Sequence, residues 1–201
     1  MGVLHTQAVF RQMRDDSFAP LGTSLIDPNG VLGITIDTAS VAGSPVEPNV
    51  ILAATSFNFG LVRTDNGGQS WAPATVTGDP DGFHNSRMRF ATPSRVYLVA
   101  PNQQAPGLYR SDDAGKSFAL LSNLRLGAIA VDPANADRIY VGTYGDNTGL
   151  FKSTDGGQTL QPLLSGDYSA ITIDSTNPQV IYVGERLGQV IRSRDGGQTF
   201  V

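Results

Sequence analysis

The sequence predicts an all-β fold that is built from repeated four-stranded antiparallel units of about 40 residues each. Three observations support this prediction. The pattern [ST]-x-[DN]-x-G-x-[ST]-[WFL] occurs four times, and its first hydroxyl residues are Thr64, Ser111, Ser153 and Ser193. Short runs rich in β-branched and aromatic residues alternate with turn residues around each copy. Glycine (23 residues) and proline (12 residues) are abundant, as many short strands joined by turns require.

The third unit, residues 127–164, shows the four predicted strands most clearly. They are GAIAVD (127–132), RIYVGT (138–143), GLFKS (149–153) and TLQPLL (159–164). Pro, Asn, Asp and Gly fill the segments between them, and this composition is typical of turns. The same order recurs in residues 167–201, where the sequence reaches only the start of a fourth strand.

The first units are less regular. The first spans about residues 31–76, with a long predicted loop at 38–48 between its first two strands, and the second spans about 86–122. Residues 7–24 add half a unit. Units of this length and strand number are typical of β-propeller blades. We therefore expect residues 1–201 to form one propeller segment of about four and a half blades, which is an incomplete ring.

Composition excludes several classes of function. The net charge is −4 and no basic tract exists, which argues against a nucleic-acid partner. The absence of cysteine excludes disulfides and thiolate catalysis. The sequence has no apolar run of the roughly 18 residues that a transmembrane segment needs, and its first residues lack the pattern of a secretory signal. No cofactor is expected.

The repeated motif has the composition of a structural hairpin turn. A tight turn leaves backbone N–H groups without partners in the sheet, and short Ser and Asp side chains can accept hydrogen bonds from them. Glycine supplies the positive φ that such a turn needs, and the aromatic residue that follows can pack between blades. The residues with this predicted structural role are Thr64, Asn66, Gly68, Trp71, Ser111, Asp113, Gly115, Phe118, Ser153, Asp155, Gly157, Ser193, Asp195, Gly197 and Phe200.

The four copies resemble the Asp-box, or BNR repeat, found in a family of β-propellers. That family includes sialidases, xyloglucanase-type glycoside hydrolases, sortilin-like receptors and a photosystem II assembly factor. The resemblance implies that the motif lies on the hairpin between the third and fourth strands, away from the ligand face, and has a structural role. It also implies a bacterial protein outside the cytoplasm, either secreted, periplasmic or on the cell surface.

A calcium-binding loop is the functional alternative for the motif. Such a loop needs several oxygen ligands and a Glu about twelve residues from its start. No copy has this Glu, so we expect no metal site.

The loops at the opposite end of the blades are the expected ligand face. They connect second to third strands and one blade to the next, and loops on a rigid scaffold often carry function. The segment GDPDGFHNSR has the composition most typical of a site, with two Asp, one His and one Arg. The predicted ligand-face residues are Phe57, Phe59, Asp79, His84, Arg87, Arg125, Tyr144, Tyr168 and Arg186.

Three functions follow from this organisation. A non-catalytic scaffold for a protein or polysaccharide partner is our first expectation, because a propeller presents a broad rigid face. The alternative is part of a secreted glycoside hydrolase, xyloglucanase-like rather than sialidase-like, since the Arg-Ile-Pro signature of sialidases is absent. Its weak catalytic candidates are the carboxylates Asp81, Asp146, Asp167 and Glu185. In the third case, further blades or oligomerisation complete the ring and the assembly carries the function.

Overall fold

The computed structural model describes most of the chain and contains only strands as regular elements in that part. It describes residues 10–12, 18–20, 38–55, 60–77, 83, 86–103, 105–143, 145, 149–186 and 188–201. The strands pair mainly antiparallel, which confirms the predicted all-β fold class. The described part of the chain contains no helix of the length and apolarity that a membrane span requires.

The strands form one hairpin and four sheets in chain order. The hairpin consists of β1 (Phe10–Gln12) and β2 (Phe18–Pro20). The first blade consists of β3 (Thr38–Gly43), β4 (Ile51–Thr55), β5 (Leu61–Thr64) and β6 (Ala72–Pro73). The second blade consists of β8 (Arg87–Phe90), β9 (Val96–Ala100), β10 (Gly107–Ser111) and β11 (Ser117–Ser122).

The remaining two blades follow the same meander. The third consists of β12 (Leu126–Asp132), β13 (Asn135–Thr143), β14 (Gly149–Ser153) and β15 (Gln161–Ser165). The fourth has β16 (Tyr168–Ile173), β17 (Ile181–Glu185) and β18 (Val190–Ser193). Val201 begins a fourth strand there, because it exchanges two backbone hydrogen bonds with Arg192, of 2.7 and 2.9 Å.

The first strands of the four blades lie side by side in the order β3, β8, β12, β16. This is the arrangement of propeller blades around a centre, each blade with its first strand innermost. The apolar core lies between blades rather than within them, because successive sheets pack face to face. One core cluster joins the first and second blades, a second joins the second and third, and a third joins the third and fourth.

In the first blade, the predicted loop at residues 38–48 is partly wrong. Thr38–Gly43 is strand β3 and pairs antiparallel with β4, so only residues 44–50 connect the two strands. The segment TASVAG has few large apolar residues and resembles a loop in sequence. Its small side chains are compatible with a strand because β4 supplies the hydrogen-bond partners and the larger apolar residues.

The connection between the first two blades contributes to the fold in a way that the sequence did not indicate. Strand β7 (Thr75–Val76) adds to the second blade as a fifth strand, parallel to β11. Phe83, further along the connection, is fully buried and packs edge-on against Tyr109, with ring centroids 5.3 Å apart. This connection is therefore partly a core element.

Candidate functional site

The two ends of the blades differ in structure. We call the end with the turns between third and fourth strands the hairpin end, and the opposite end the loop end. The pairing of Tyr168 with Glu185 and of Leu126 with Thr143 shows that first strands begin where second strands finish. The loop end is the ligand face that the sequence predicts.

Only part of the predicted ligand face lies within the described residues. The predicted residues that lie outside them are Phe57, Phe59, Asp79, Asp81, His84, Tyr144 and Asp146. The described ones are Arg87, Arg125, Asp167, Tyr168, Glu185 and Arg186. Because β8, β12 and β16 are neighbours, the structure brings these six residues of three blades to one end of the molecule.

Asp167 and Arg186 form the best-defined polar pair at the loop end. An Arg186 guanidinium nitrogen lies 3.4 Å from Asp167 Oδ2, and the Arg186 backbone N–H donates to the Asp167 carbonyl at 2.9 Å. Within the described part of the chain, the buried Asp167 Oδ1 has no hydrogen-bond partner. A buried polar atom without a partner is costly, so this carboxylate would benefit from a further donor.

Arg125 holds two loops of the loop end together. Its Nε donates to the Pro101 carbonyl at 2.9 Å, across the boundary between the second and third blades. Its guanidinium also lies beside Gly145, where a side chain's Cβ would come within 3.2 Å of it. Arg125 therefore supports the loops, whereas Arg87 and Arg186 are exposed.

The predicted position of Tyr168 on the ligand face is wrong. Its side chain is only 3% exposed and packs in the core between the third and fourth blades. Its hydroxyl donates to the Ser165 carbonyl at 3.1 Å. Burial raises the pKa of Tyr168, and the negative charge of Glu185 adds to the shift. Tyr168 thus supports the start of β16 and does not present its ring to a ligand.

At the hairpin end, each motif forms a closed local network of hydrogen bonds. In the third copy, Ser153 Oγ accepts from the Gly157 backbone N–H at 2.9 Å and donates to Asp155 Oδ1 at 2.7 Å. Asp155 Oδ1 also accepts from the Thr159 backbone N–H at 2.9 Å, and Oδ2 accepts from the Thr159 hydroxyl at 2.6 Å. Both carboxylate oxygens are therefore occupied within the turn.

The other copies repeat this network. The glycine N–H to hydroxyl distances are 3.0 Å for Gly68–Thr64, 2.8 Å for Gly115–Ser111 and 2.8 Å for Gly197–Ser193. Asn66 replaces the aspartate in the first copy, where its Oδ1 accepts from the Ser70 backbone N–H at 3.0 Å. A neutral amide thus makes the same turn, so the network does not require the negative charge.

These hydrogen bonds stabilise the charged form of the aspartates. The Thr159 hydroxyl and backbone N–H, followed by the Ser153 hydroxyl, lower the pKa of Asp155 to about 2. Equivalent bonds from Thr199 and Ser193 lower the pKa of Asp195. Partial burial opposes the shift at Asp113, yet bonds from Ser117 and Ser111 still lower its pKa. The motif carboxylates are therefore hydrogen-bond acceptors and not proton donors at neutral pH.

The glycine at the fifth motif position lets the turn pack against the preceding blade in the last three copies. At Gly115 a Cβ would lie 2.5 Å from Leu52 Cδ1, and at Gly157 it would lie 2.9 Å from Leu108 Cδ2. Both glycines also have positive φ, of 83° and 88°. The turns are therefore part of the contact between blades.

A shallow cleft lies at the hairpin end between the first two blades, and the sequence did not indicate it. It measures about 170 Å³ and is lined by Arg63, Asp65, Ser70, Trp71, Ala72, Pro73, Ala74 and Lys116. Trp71 Nε1 is buried without a hydrogen-bond partner in the described region. Typical small-molecule pockets occupy roughly 300–1,000 Å³, so this cleft is too small for most ligands. Among the described residues, no group of three His, Asp or Glu side chains could hold a metal ion.

Comparison with known proteins identifies the fold as a β-propeller. No protein-family model and no curated protein matches the chain. The GH74 xyloglucanase from Xanthomonas campestris matches with a TM-score of 0.61 and 24% identity, over 80% of this chain and 29% of the enzyme. YCF48 bound to D1 peptide matches with a TM-score of 0.51 and 14% identity, over 92% of this chain and 70% of YCF48.

A chain of the nidogen/laminin complex is a third similar structure. It has a TM-score of 0.62 and 12% identity, over 94% of this chain and 71% of that one. The chain spans less than a third of the length of the xyloglucanase, of which it covers 29%. At these identities the comparisons establish the fold, which is shared by an enzyme and by propellers solved with binding partners.

Proposed function

We propose that the chain is a non-catalytic β-propeller scaffold of the Asp-box type that binds a protein partner through its loop end. The contrast between the two ends of the blades carries this proposal. The hydroxyl and carboxylate or amide groups of the motifs at the hairpin end are occupied by hydrogen bonds inside each turn. At the loop end Arg87 and Arg186 are exposed, and Asp167 Oδ1 has no hydrogen-bond partner in the described part of the chain.

Two of the similar solved structures support a protein partner. The match to YCF48 bound to D1 peptide covers 70% of YCF48, and the match to the nidogen/laminin complex covers 71% of the similar chain. Both proteins were solved with a protein or peptide. By the Asp-box resemblance, the location proposed for this chain is outside the cytoplasm.

Polysaccharide binding or hydrolysis is the second candidate function. Its support is the similarity to GH74 xyloglucanase, together with two described carboxylates at the loop end, Asp167 and Glu185. Glycoside hydrolysis needs two carboxyl groups about 5–5.5 Å or about 6.5–9.5 Å apart. Asp167 is already paired with Arg186, which favours a binding role over an acid–base role.

The experiment uses peptides selected on the wild-type chain from a random phage-displayed library. Their affinity is then measured for the double variant Arg87→Glu/Arg186→Glu and for the control Lys116→Glu/Arg194→Glu, which places the same charge change on exposed residues of the hairpin end. We expect the loop-end variant to lose at least tenfold in affinity and the control to bind like the wild type. Loss of affinity in the control alone would contradict the proposal.

Incubation with xyloglucan tests the second function. The proposed scaffold releases no reducing ends from this polysaccharide. Release by the wild type, abolished by Asp167→Asn or Glu185→Gln, would replace the scaffold proposal with the hydrolase function.

A further inference from the structure

The three contacts between successive blades share one polar interaction. We call the side of a blade that faces the next blade in the chain its leading face. From this face, a cation on the third strand reaches the hairpin of the next blade and donates to the carbonyl directly before the motif glycine. The three bonds are Arg63 Nε to Ala114 O at 3.0 Å, an Arg110 guanidinium nitrogen to Gly156 O at 2.9 Å, and Lys152 Nζ to Gly196 O at 2.8 Å.

A tyrosine beside the cation adds a second bond in two of these contacts. Tyr97 donates its hydroxyl to the Ala136 carbonyl and Tyr140 to the Gly196 carbonyl, both at 2.8 Å. Both tyrosines are fully buried. Burial raises the pKa of Tyr140 to about 12, so its hydroxyl remains a donor across the physiological range.

The fourth blade has the same pair of residues at the same positions. Strand register pairs Tyr140 with Lys152 in the third blade and Tyr182 with Arg192 in the fourth. Two residues before the cation, Leu150 of the third blade corresponds to Val190 of the fourth. The leading face of the fourth blade is thus built from the residues that make a blade contact elsewhere in the chain.

The surroundings of these residues differ from those in the third blade. Tyr182 is 39% exposed, where Tyr140 is 0% exposed, and Val190 is 71% exposed, where Leu150 is 0% exposed. Arg192 Nε is buried and has no hydrogen-bond partner within the described residues, although Lys152 has one at the equivalent place. A buried guanidinium N–H without an acceptor is costly, so a missing acceptor is the simplest account of this position.

We propose that the leading face of the fourth blade docks a further blade of the same repeat. The hairpin of that blade would present its carbonyl to Arg192 and its backbone to Tyr182. The repeat also specifies the residue after that carbonyl as glycine. At Gly197 a Cβ would already lie 3.2 Å from Tyr140 Cε1, so a larger residue would not fit against the equivalent Tyr182.

A second copy of this chain is a poorer occupant than a further blade. Head-to-tail association would need the other side of the first blade, on which Ala53 and Val62 lie. Both residues are fully buried in the single chain, so that side is already covered.

The experiment extends the chain by one blade and asks whether the face becomes protected. Val201 is equivalent to Gln161, since both follow a motif by the same interval. A copy of residues 162–201 added after Val201 therefore continues the repeat in register. The chain has no cysteine, so Val190→Cys gives a single thiol whose reaction with a maleimide reports exposure. We expect the extension to slow labelling at least tenfold.

A matched pair of variants tests the contact itself. Tyr182→Phe/Arg192→Gln should leave the melting temperature of the 201-residue chain within about 1 °C and lower that of the extended chain by several degrees. Tyr140→Phe/Lys152→Gln should lower both. If the first extension is insoluble, a copy of residues 120–161 supplies the same hairpin.

Two results would overturn the proposal. One is equal labelling of Val190→Cys in the 201-residue chain and in a folded extended chain. The other is concentration-dependent protection of this thiol without any extension, which would make a second copy the occupant.

Discussion

The hairpin end and the loop end of the same blades follow different rules. At the hairpin end, one arrangement of hydroxyl, aspartate or asparagine, and glycine occurs four times, with glycine N–H to hydroxyl distances of 2.8–3.0 Å. At the loop end, the described blades differ in loop sequence and in charge. Repetition at one end reflects a shared structural task, whereas variation at the other end is compatible with recognition of a partner.

The largest expected effect on stability comes from replacing a glycine by alanine, and it should be larger at the hairpin end than at the loop end. Gly115→Ala places a methyl group 2.5 Å from buried Leu52 at a φ of 83°, so we expect a loss of about 2 to 5 kcal/mol of unfolding free energy. Gly188→Ala at the loop end has a similar φ of 97° but open space around it, so its loss should be about 1 to 2 kcal/mol. Denaturant unfolding measures both, and equal losses would contradict the role of packing.

The second largest effect is expected when the hydroxyl of one motif turn is removed. Ser153→Ala leaves the buried Gly157 N–H without its acceptor, so we expect a loss of about 1 to 3 kcal/mol. The control is Ser44→Ala, whose hydroxyl accepts from the Glu47 N–H at 3.1 Å in an exposed turn. Water can replace that bond, and its loss should stay below about 1 kcal/mol. A smaller loss for Ser153→Ala than for Ser44→Ala in urea unfolding would refute the capping role.

A smaller effect concerns pH. The pKa of Asp155 is about 2 in the folded chain, below its ordinary value of 3.8. Its contribution to stability is therefore complete above about pH 5 and is lost as the pH falls towards 2. Asp155→Asn keeps an acceptor, as Asn66 does naturally, so its melting temperature should fall less between pH 4.5 and pH 2.5. Parallel pH profiles of variant and wild type would show that this carboxylate contributes nothing to the acid sensitivity.

The smallest effect on stability is expected at the loop end. The Arg186–Asp167 pair is long, at 3.4 Å, and the arginine is exposed. Exposed pairs contribute little, so Arg186→Ala should change stability by no more than about 0.5 kcal/mol.

Asp81 and His84 lie outside the described residues. Asp81→Ala/His84→Ala should weaken partner binding without lowering the melting temperature. A large loss of stability in either variant would assign these residues to the fold instead.

Much of the fold could be predicted because the repeat is local. A hairpin motif of eight residues contains its own donors and acceptors, so its spacing alone indicates the turn and the two strands beside it. The strand Thr38–Gly43 and the strand Thr75–Val76 could not be predicted in this way. Both depend on pairing with a partner strand more than on their own side chains, and the second pairs with β11, where Thr75 faces Ser117 and Val76 faces Phe118.

The loop end was harder to predict for the same reason. Sequence placed Tyr168 in a connecting loop, and only the packing of two blades shows that its ring is buried. Phe83 lies in a polar, turn-rich segment, yet it fills a space beside Tyr109 that no sequence pattern reports. Similarly, nothing in the sequence of the connection indicates that Arg125 binds the Pro101 carbonyl of the preceding blade.

Amide hydrogen exchange of the turn glycines tests the structural role of the hairpin end most directly. The N–H groups of Gly115, Gly157 and Gly197 donate to buried hydroxyls inside the blade contacts. We expect them to exchange as slowly as the N–H groups of the central strands, whereas the Gly188 N–H, bonded to Glu185 in an exposed loop, should exchange much faster. Exchange of the three turn amides at the rate of Gly188 would contradict the structural role of the motif.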